Sequence, residues 1–229
     1  MRIGGLLKFT LIDYPGKVAA VVFTQGCNFR CPFCHNPELV VPELFEAPLP
    51  VQDVLEFLNK RKNQLEAVVI SGGEPTVHAD LADFIRPIKG MGYHVKLDTN
   101  GTNPLVLGEL FSEKLIDYVA MDIKSGEANY CKASGVVPDI TLIRSSVQRV
   151  KDSGVAYEFR STVFKSIVSA ADMASIAALL GETKNFHIRR GNLKGKILNY
   201  DFFADCPDYT DEEWQNMKDL YSRSKQVIH

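Results

Sequence analysis

Apolar residues fall in short runs, and stretches with helical spacing separate them along most of the chain. The runs at 18–24 (VAAVVFT), 67–71 (AVVIS), 94–98 (HVKLD), 118–123 (YVAMDI) and 157–163 (YEFRSTV) read as strands, with a weaker one at 185–189. Helical spacing predicts helices over 51–63, 80–91, 104–111, 140–153, Ala170–Leu180 and Asp211–Ser224. Thr210 followed by Glu213 supplies a capping box for the last of these, and the C-terminal helix with its cap is expected over 210–226. Short strands alternating with helices imply an α/β fold with a parallel sheet and right-handed crossovers. About six such units are too few for the closed eight-stranded barrel. An open doubly wound sheet and a partial barrel both satisfy the pattern. No linker or low-complexity stretch divides the chain, so a single domain over 1–229 is expected, with its core at about 17–200.

Either architecture places chemistry at the C-terminal ends of the strands. The polar residues of this chain gather there. A cysteine loop follows the first predicted strand and Gly72-Gly73-Glu74 follows the second. Asp98-Thr99-Asn100-Gly101 ends the third, and Asp122 and Lys124 end the fourth. Arg160 lies within the fifth and His187 within the sixth.

Composition removes some function classes. With 26 basic and 28 acidic residues the formal charge is −2, which gives no electrostatic footprint for nucleic acid. No apolar run reaches the roughly 20 residues that span a bilayer, and no signal-peptide pattern opens the chain. The expected location is the cytoplasm. Cysteine usage agrees: there are five, an odd number, and Cys27, Cys31 and Cys34 sit together. Cys131 and Cys206 stand apart and read as incidental or buried thiols.

The CxxxCxxC loop suits a [4Fe–4S] cluster in which three thiolates hold three irons and the fourth iron stays open. Its residues allow other readings. Cys31-Pro32-Phe33-Cys34-His35 is also a CxxCH string of the haem-attachment kind, and Cys31 with Cys34 could form a redox pair. A structural zinc with His35 as fourth ligand is a further reading, although zinc sites usually draw on two separated knuckles.

The Cys27-Asn28-Phe29-Arg30-Cys31-Pro32-Phe33-Cys34 loop resembles the signature of radical S-adenosylmethionine (SAM) enzymes. The strings Asp13-Tyr14-Pro15-Gly16, Gln25-Gly26-Cys27 and Cys34-His35-Asn36-Pro37 resemble the glycyl-radical-enzyme activases. Among these, the likeness is nearest to the activating proteins of anaerobic ribonucleoside-triphosphate reductase, with pyruvate formate-lyase activating enzymes as a sibling group. Many activases read Asp-Gly-Pro-Gly where this chain reads Asp-Tyr-Pro-Gly, which favours one reductase-activase subgroup. The resemblance implies a partial (β/α)6 TIM-like barrel. It implies an oxidoreductase whose reduced cluster cleaves SAM to methionine and a 5′-deoxyadenosyl radical. That radical takes a hydrogen from a glycine of a partner glycyl radical enzyme. A reducing donor such as flavodoxin or ferredoxin is implied as well; nucleic acid and membrane are not expected partners. A radical SAM enzyme acting on a small molecule and a non-catalytic zinc or iron–sulfur module are the rival readings.

The same resemblance distributes roles, with no catalytic residue beyond the cluster and SAM. Cys27, Cys31 and Cys34 become the metal ligands. Gly72, Gly73 and Glu74 match the family's GGE motif, in which glycines admit close backbone approach and Glu74 can accept from the SAM ammonium. Asp98 and Thr99 match positions near the methionine moiety, where a monovalent cation sits in some members. Lys124 matches a lysine that pairs with the SAM carboxylate, beside Asp122 in an Asp-x-Lys string. Arg160 interrupts an apolar strand and needs a carboxylate partner, which SAM offers. His187 matches a histidine near ribose or adenine, and Phe33 is either a neighbour of adenine or a core aromatic.

Overall fold

A computed structural model describes residues 1–224, so the expected extension of the last helix to 226 lies outside the described residues. Among the described residues the sheet has seven strands, one more than the sequence pattern predicts. The additional strand is β1 (Ile3–Thr10), which runs antiparallel to β2 (Ala19–Thr24). Parallel pairing then continues through β3 (Ala67–Gly72), β4 (His94–Thr99), β5 (Tyr118–Asp122), β6 (Ala156–Val163) and β7 (Phe186–Arg190). The helices are α1 (Pro37–Val40), α2 (Val51–Arg61), α3 (Leu81–Gly90), α4 (Pro104–Ser112), α5 (Tyr130–Ser134), α6 (Ile140–Asp152), α7 (Ala170–Leu180) and α8 (Asp211–Ser224).

Strand order decides between the two architectures that the periodicity left open. Spatial order follows chain order from β1 to β7 without reversal. A doubly wound sheet needs a reversal, because its switch point is where helices change face. With right-handed crossovers and no reversal, the helices cover one face and the sheet curls around the other. The result is a partial barrel, open between β1 and β7.

Alternation along each strand sorts the side chains accordingly. Val95 and Leu97 of β4 are fully buried in the main core with Ile85 and Ile88 of α3 and Leu107 and Leu110 of α4. Lys96 and Asp98 point to the concave side. Toward the N-terminal ends of the parallel strands that concavity holds a second apolar cluster of Tyr14, Ala19, Val21, Ala67 and Val69. At their C-terminal ends it is lined largely by polar groups. Glu213 and Thr210 form the expected reciprocal cap at the start of α8 (Thr210 N–H to Oε2 2.9 Å, Glu213 N–H to Oγ1 3.2 Å). Tyr221 on α8 donates to the Phe186 carbonyl at 3.1 Å and so ties this helix to β7. Among the described residues no helix is long and apolar enough to cross a membrane.

Candidate cluster and SAM site

The cysteine loop leaves β2 and is fixed from several sides. Gly26 N–H donates to the Leu39 carbonyl, and Glu74 N–H donates to the Gly26 carbonyl, both at 2.8 Å. Arg30 N–H donates to the Ser134 carbonyl of α5 at 2.7 Å, while its guanidinium reaches the carbonyls of Cys27 (2.7 Å) and Phe29 (2.8 Å). Phe29 meets Tyr130 edge-on at 6.4 Å, and Phe33 packs on Phe164 at 5.0 Å. Residues 195–200 cross the loop from outside: Asn199 N–H donates to the Pro32 carbonyl at 3.0 Å, and His35 Nδ1 lies 3.1 Å from the Lys196 carbonyl.

Cys27, Cys31 and Cys34 line one cavity of about 140 Å³ together with Phe33, Gly72, Gly73, Glu74, Asp98, Thr99, Lys124 and Arg160. His187 does not line it; it stands exposed on β7, with Nε2 3.9 Å from Glu158 Oε2. His35 is also outside the lining. Four positions that the sequence reading did not single out as site residues belong to the wall: Phe29, Val40, Ser71 and Asn100. Asn100 joins the next loop to the cysteines, since its Nδ2 donates to Asn28 Oδ1 at 2.8 Å. That bond links residues 72 positions apart, which no local pattern shows.

The donor set fits a cubane cluster. All three thiols are free. Among the described residues no three His, Cys, Asp or Glu side chains converge as a single ion would require, whereas a cubane takes its thiolates at separate corners. Burial, with Glu74 nearby, pushes the Cys27 thiol up to about 12. Burial also lifts Cys31, to about 11 despite the neighbouring Lys124, and raises Cys34. The free loop therefore keeps its protons, and loading the cluster must displace them.

The opposite wall fits an amino acid cofactor. Gly72 has φ +107° and abuts the Thr24 backbone, where a Cβ would lie 2.5 Å from the amide nitrogen. A Cβ on Gly73 would lie 2.0 Å from the Gly26 carbonyl oxygen, so only glycine lets β3 end against the cysteine loop. Glu74 is buried. Its Oε1 accepts from Thr76 N–H (3.1 Å), Thr76 Oγ1 (2.6 Å) and Thr99 Oγ1 (2.8 Å), and its Oε2 accepts from Asn100 N–H (2.6 Å). Burial pushes its carboxyl upward, and these donors work against that rise. Oε2 keeps room for one more donor.

Across the cavity runs an ion network. Lys124 Nζ donates to Asp122 Oδ2 at 3.0 Å and Arg160 Nε to Asp122 Oδ1 at 2.9 Å. Arg160 also lies 3.6 Å from Asp98 Oδ1, and Ser71 Oγ donates to Asp98 Oδ2 at 2.9 Å. Burial opposes ionisation of Asp122, but Arg160 and Lys124 outweigh it and hold the carboxyl well below its ordinary range. Lys124 is likewise held protonated by Asp122 against its own burial. With one N–H of Lys124 on Asp122, the others are available to a carboxylate.

A half-barrel with three cysteines in the loop after its first parallel strand, facing paired ions on the strands beyond, defines a class. The Radical SAM superfamily model matches residues 21–167, and the chain belongs to that superfamily. Within it, the chain is 33% identical over 196 residues to a glycyl-radical enzyme activating enzyme of Methanocaldococcus jannaschii, covering 82% of this chain and 79% of that one. It is 33% identical over 133 residues to the pyruvate formate-lyase-activating enzyme of Clostridium pasteurianum, covering 54% of this chain and 52% of the relative. The crystal structure of Streptococcus suis SuiB bound to S-adenosylmethionine matches 88% of this chain with TM-score 0.65 at 17% identity. This chain spans 46% of SuiB, and that likeness concerns the fold alone. The family is thus that of radical SAM enzymes, and its activase branch is the one this chain resembles along most of its length.

Proposed function

We propose that this protein is a glycyl-radical-enzyme activase whose protein substrate is an anaerobic ribonucleoside-triphosphate reductase. The observation that carries the activase reading is the match over 82% of the chain to an activating enzyme. The reductase partner rests on the Asp13-Tyr14-Pro15-Gly16 and Cys34-His35-Asn36-Pro37 strings. A second reading, activation of a pyruvate formate-lyase-like enzyme, is favoured by the relative of that kind. When bound, the cluster and SAM supply one-electron reductive cleavage and a 5′-deoxyadenosyl radical. The chain's own residues have the binding tasks. Cys27, Cys31 and Cys34 hold the cluster. Gly72 and Gly73 bring backbone to the cofactor, and Glu74 Oε2 accepts from its ammonium. Lys124 and Arg160 receive its carboxylate. The setting is the reducing cytoplasm, with a low-potential flavodoxin or ferredoxin as donor.

Anaerobic reconstitution tests the first half. The loaded protein is expected to cleave SAM to 5′-deoxyadenosine under reduction, and Cys27→Ala to lose both cluster and cleavage. A stoichiometric zinc protein without cleavage would remove the enzyme reading. Mixing the loaded protein separately with a reductase and a lyase tests the partner: a glycine-centred EPR doublet is expected with the reductase. A doublet with the lyase alone transfers the assignment to the second reading. SAM cleavage on a small molecule with neither doublet removes both.

A further inference from the structure

The likeness to activases brings a monovalent cation to Asp98 and Thr99, where Thr99 Oγ1 and Asp98 Oδ2 are hydrogen-bonded within the chain, while the buried Asp98 Oδ1 has no hydrogen-bond partner and is met by cationic side chains instead. Thr99 Oγ1 donates to Glu74 at 2.8 Å and accepts from Gly101 N–H at 3.1 Å. Asp98 Oδ2 accepts from Ser71 at 2.9 Å. Its Oδ1 faces two cations, Lys96 Nζ at 3.0 Å and Arg160 Nη1 at 3.6 Å. A metal cation there would meet an ammonium and a guanidinium on the one oxygen that lacks a hydroxyl partner. These residues do not fit it.

Lys96 is the reason. It sits on the concave face of β4, in register with Val69 of β3 and Tyr118 of β5, and is 4% exposed. A lysine ammonium is strongly hydrated and is buried only where other groups replace its water. Here the Asp13 carbonyl accepts from Nζ at 2.7 Å, Asp98 lies beside it, and the Tyr118 ring lies 5.9 Å away. A carbonyl and a carboxylate are the oxygen donors that a small hard cation would use. The turn that supplies the carbonyl is itself held, since Tyr14 packs on Tyr118 at 5.8 Å and on His94 at 6.4 Å.

We propose that Lys96 is a built-in monovalent cation: its ammonium answers the charge of Asp98 below the methionine end of the cavity, and this chain binds SAM without Na⁺ or K⁺. The Asp13-Tyr14-Pro15-Gly16 turn belongs to the same device, because its Asp13 carbonyl accepts from the ammonium. Lys96 is a positioning residue that acts on the cofactor through Asp98. The inference rests on the assignment of this cavity to SAM.

Equilibrium SAM binding to the anaerobically reconstituted protein tests it, in buffers of equal ionic strength containing Na⁺, K⁺ or choline. Wild-type affinity is expected to agree within about twofold across the three, a difference too small for a lost cation site. Lys96→Met is expected to bind SAM about tenfold more weakly in choline, as for loss of one buried charge partner, and to recover as Na⁺ or K⁺ is titrated in. Lys96→Arg, which keeps the charge, is expected to remain indifferent to the cation. Wild-type affinity that rises severalfold from choline to Na⁺ or K⁺ overturns the proposal, and this arm stands even if the methionine variant does not fold. A methionine variant whose loss neither cation repairs, or which binds as wild type in choline, overturns it too. Absence of SAM binding by the wild type in every buffer would instead overturn the assignment of the cavity.

Discussion

At the scale of single residues, Glu74 shows how much of the site the sequence could disclose. Its place in Gly72-Gly73-Glu74 marked it as a cofactor acceptor. Four protein donors already converge on it, from residues 76, 99 and 100, and so the same carboxylate joins the end of β3 to the end of β4. That second role was not legible, because Thr99 and Asn100 lie 25 and 26 positions away. It is also testable. Glutamine in place of Glu74 would turn an amide donor toward groups that are themselves donors, and one backbone N–H or hydroxyl would be left unpaired. Glu74→Gln is expected to lower unfolding free energy by about 3 kcal/mol, the range for losing hydrogen bonds to a buried charge. Denaturant unfolding of the apo-protein measures this without the cofactor, and a change below about 0.5 kcal/mol would show that the carboxylate serves the ligand alone.

At the scale of elements, periodicity found the parallel strands and the long helices, and it missed β1. The reason is visible in Ile3–Thr10. Only its end residues, Ile3 and Thr10, are buried, so an edge strand with Gly4 and Gly5 near its start shows no clean alternation. It also did not predict α1 and α5, of four and five residues, too short to show a helical period. Yet α5 carries the Ser134 carbonyl and the Tyr130 ring that hold the cysteine loop. On the other side, Phe164 at the end of β6 lies between Phe33 and Phe203, 5.0 Å from each. Phe33 therefore lines the cavity and is a core aromatic at once. Phe164→Ala would leave a void under the cysteine loop and is expected to cost about 3–5 kcal/mol. The reconstituted variant should lose its cluster absorbance to a chelator faster than wild type. Equal rates would mean that the cysteine loop does not depend on this stack.

At the scale of the whole molecule, the choice of a partial barrel turned on strand order, which no strand carries in its own sequence. An unreversed sheet has a concave face, and residues that looked like isolated interruptions meet on it. Asp122 on β5 sits opposite Arg160 on β6 by register, and Arg160 reaches Asp98 on β4, so three neighbouring strands share one ion network. The network's acid response has a definite sign. Arg160 and Lys124 hold the Asp122 carboxyl below its ordinary range in the folded chain, while the unfolded chain has a value of about 3.9. The folded state thus binds fewer protons in acid than the unfolded state. The stability contributed by Asp122 is fully present above the unfolded value and is lost as pH falls below about 4 toward the depressed folded value. Asp122→Asn removes that linkage. The stability difference between wild type and variant is expected to be constant from about pH 8 to pH 5 and to shrink progressively below about pH 4. Denaturant titrations of the apo-proteins at a series of pH values measure the difference. A gap that stays constant into acid would show that the carboxyl is not charge-stabilised by Arg160 and Lys124.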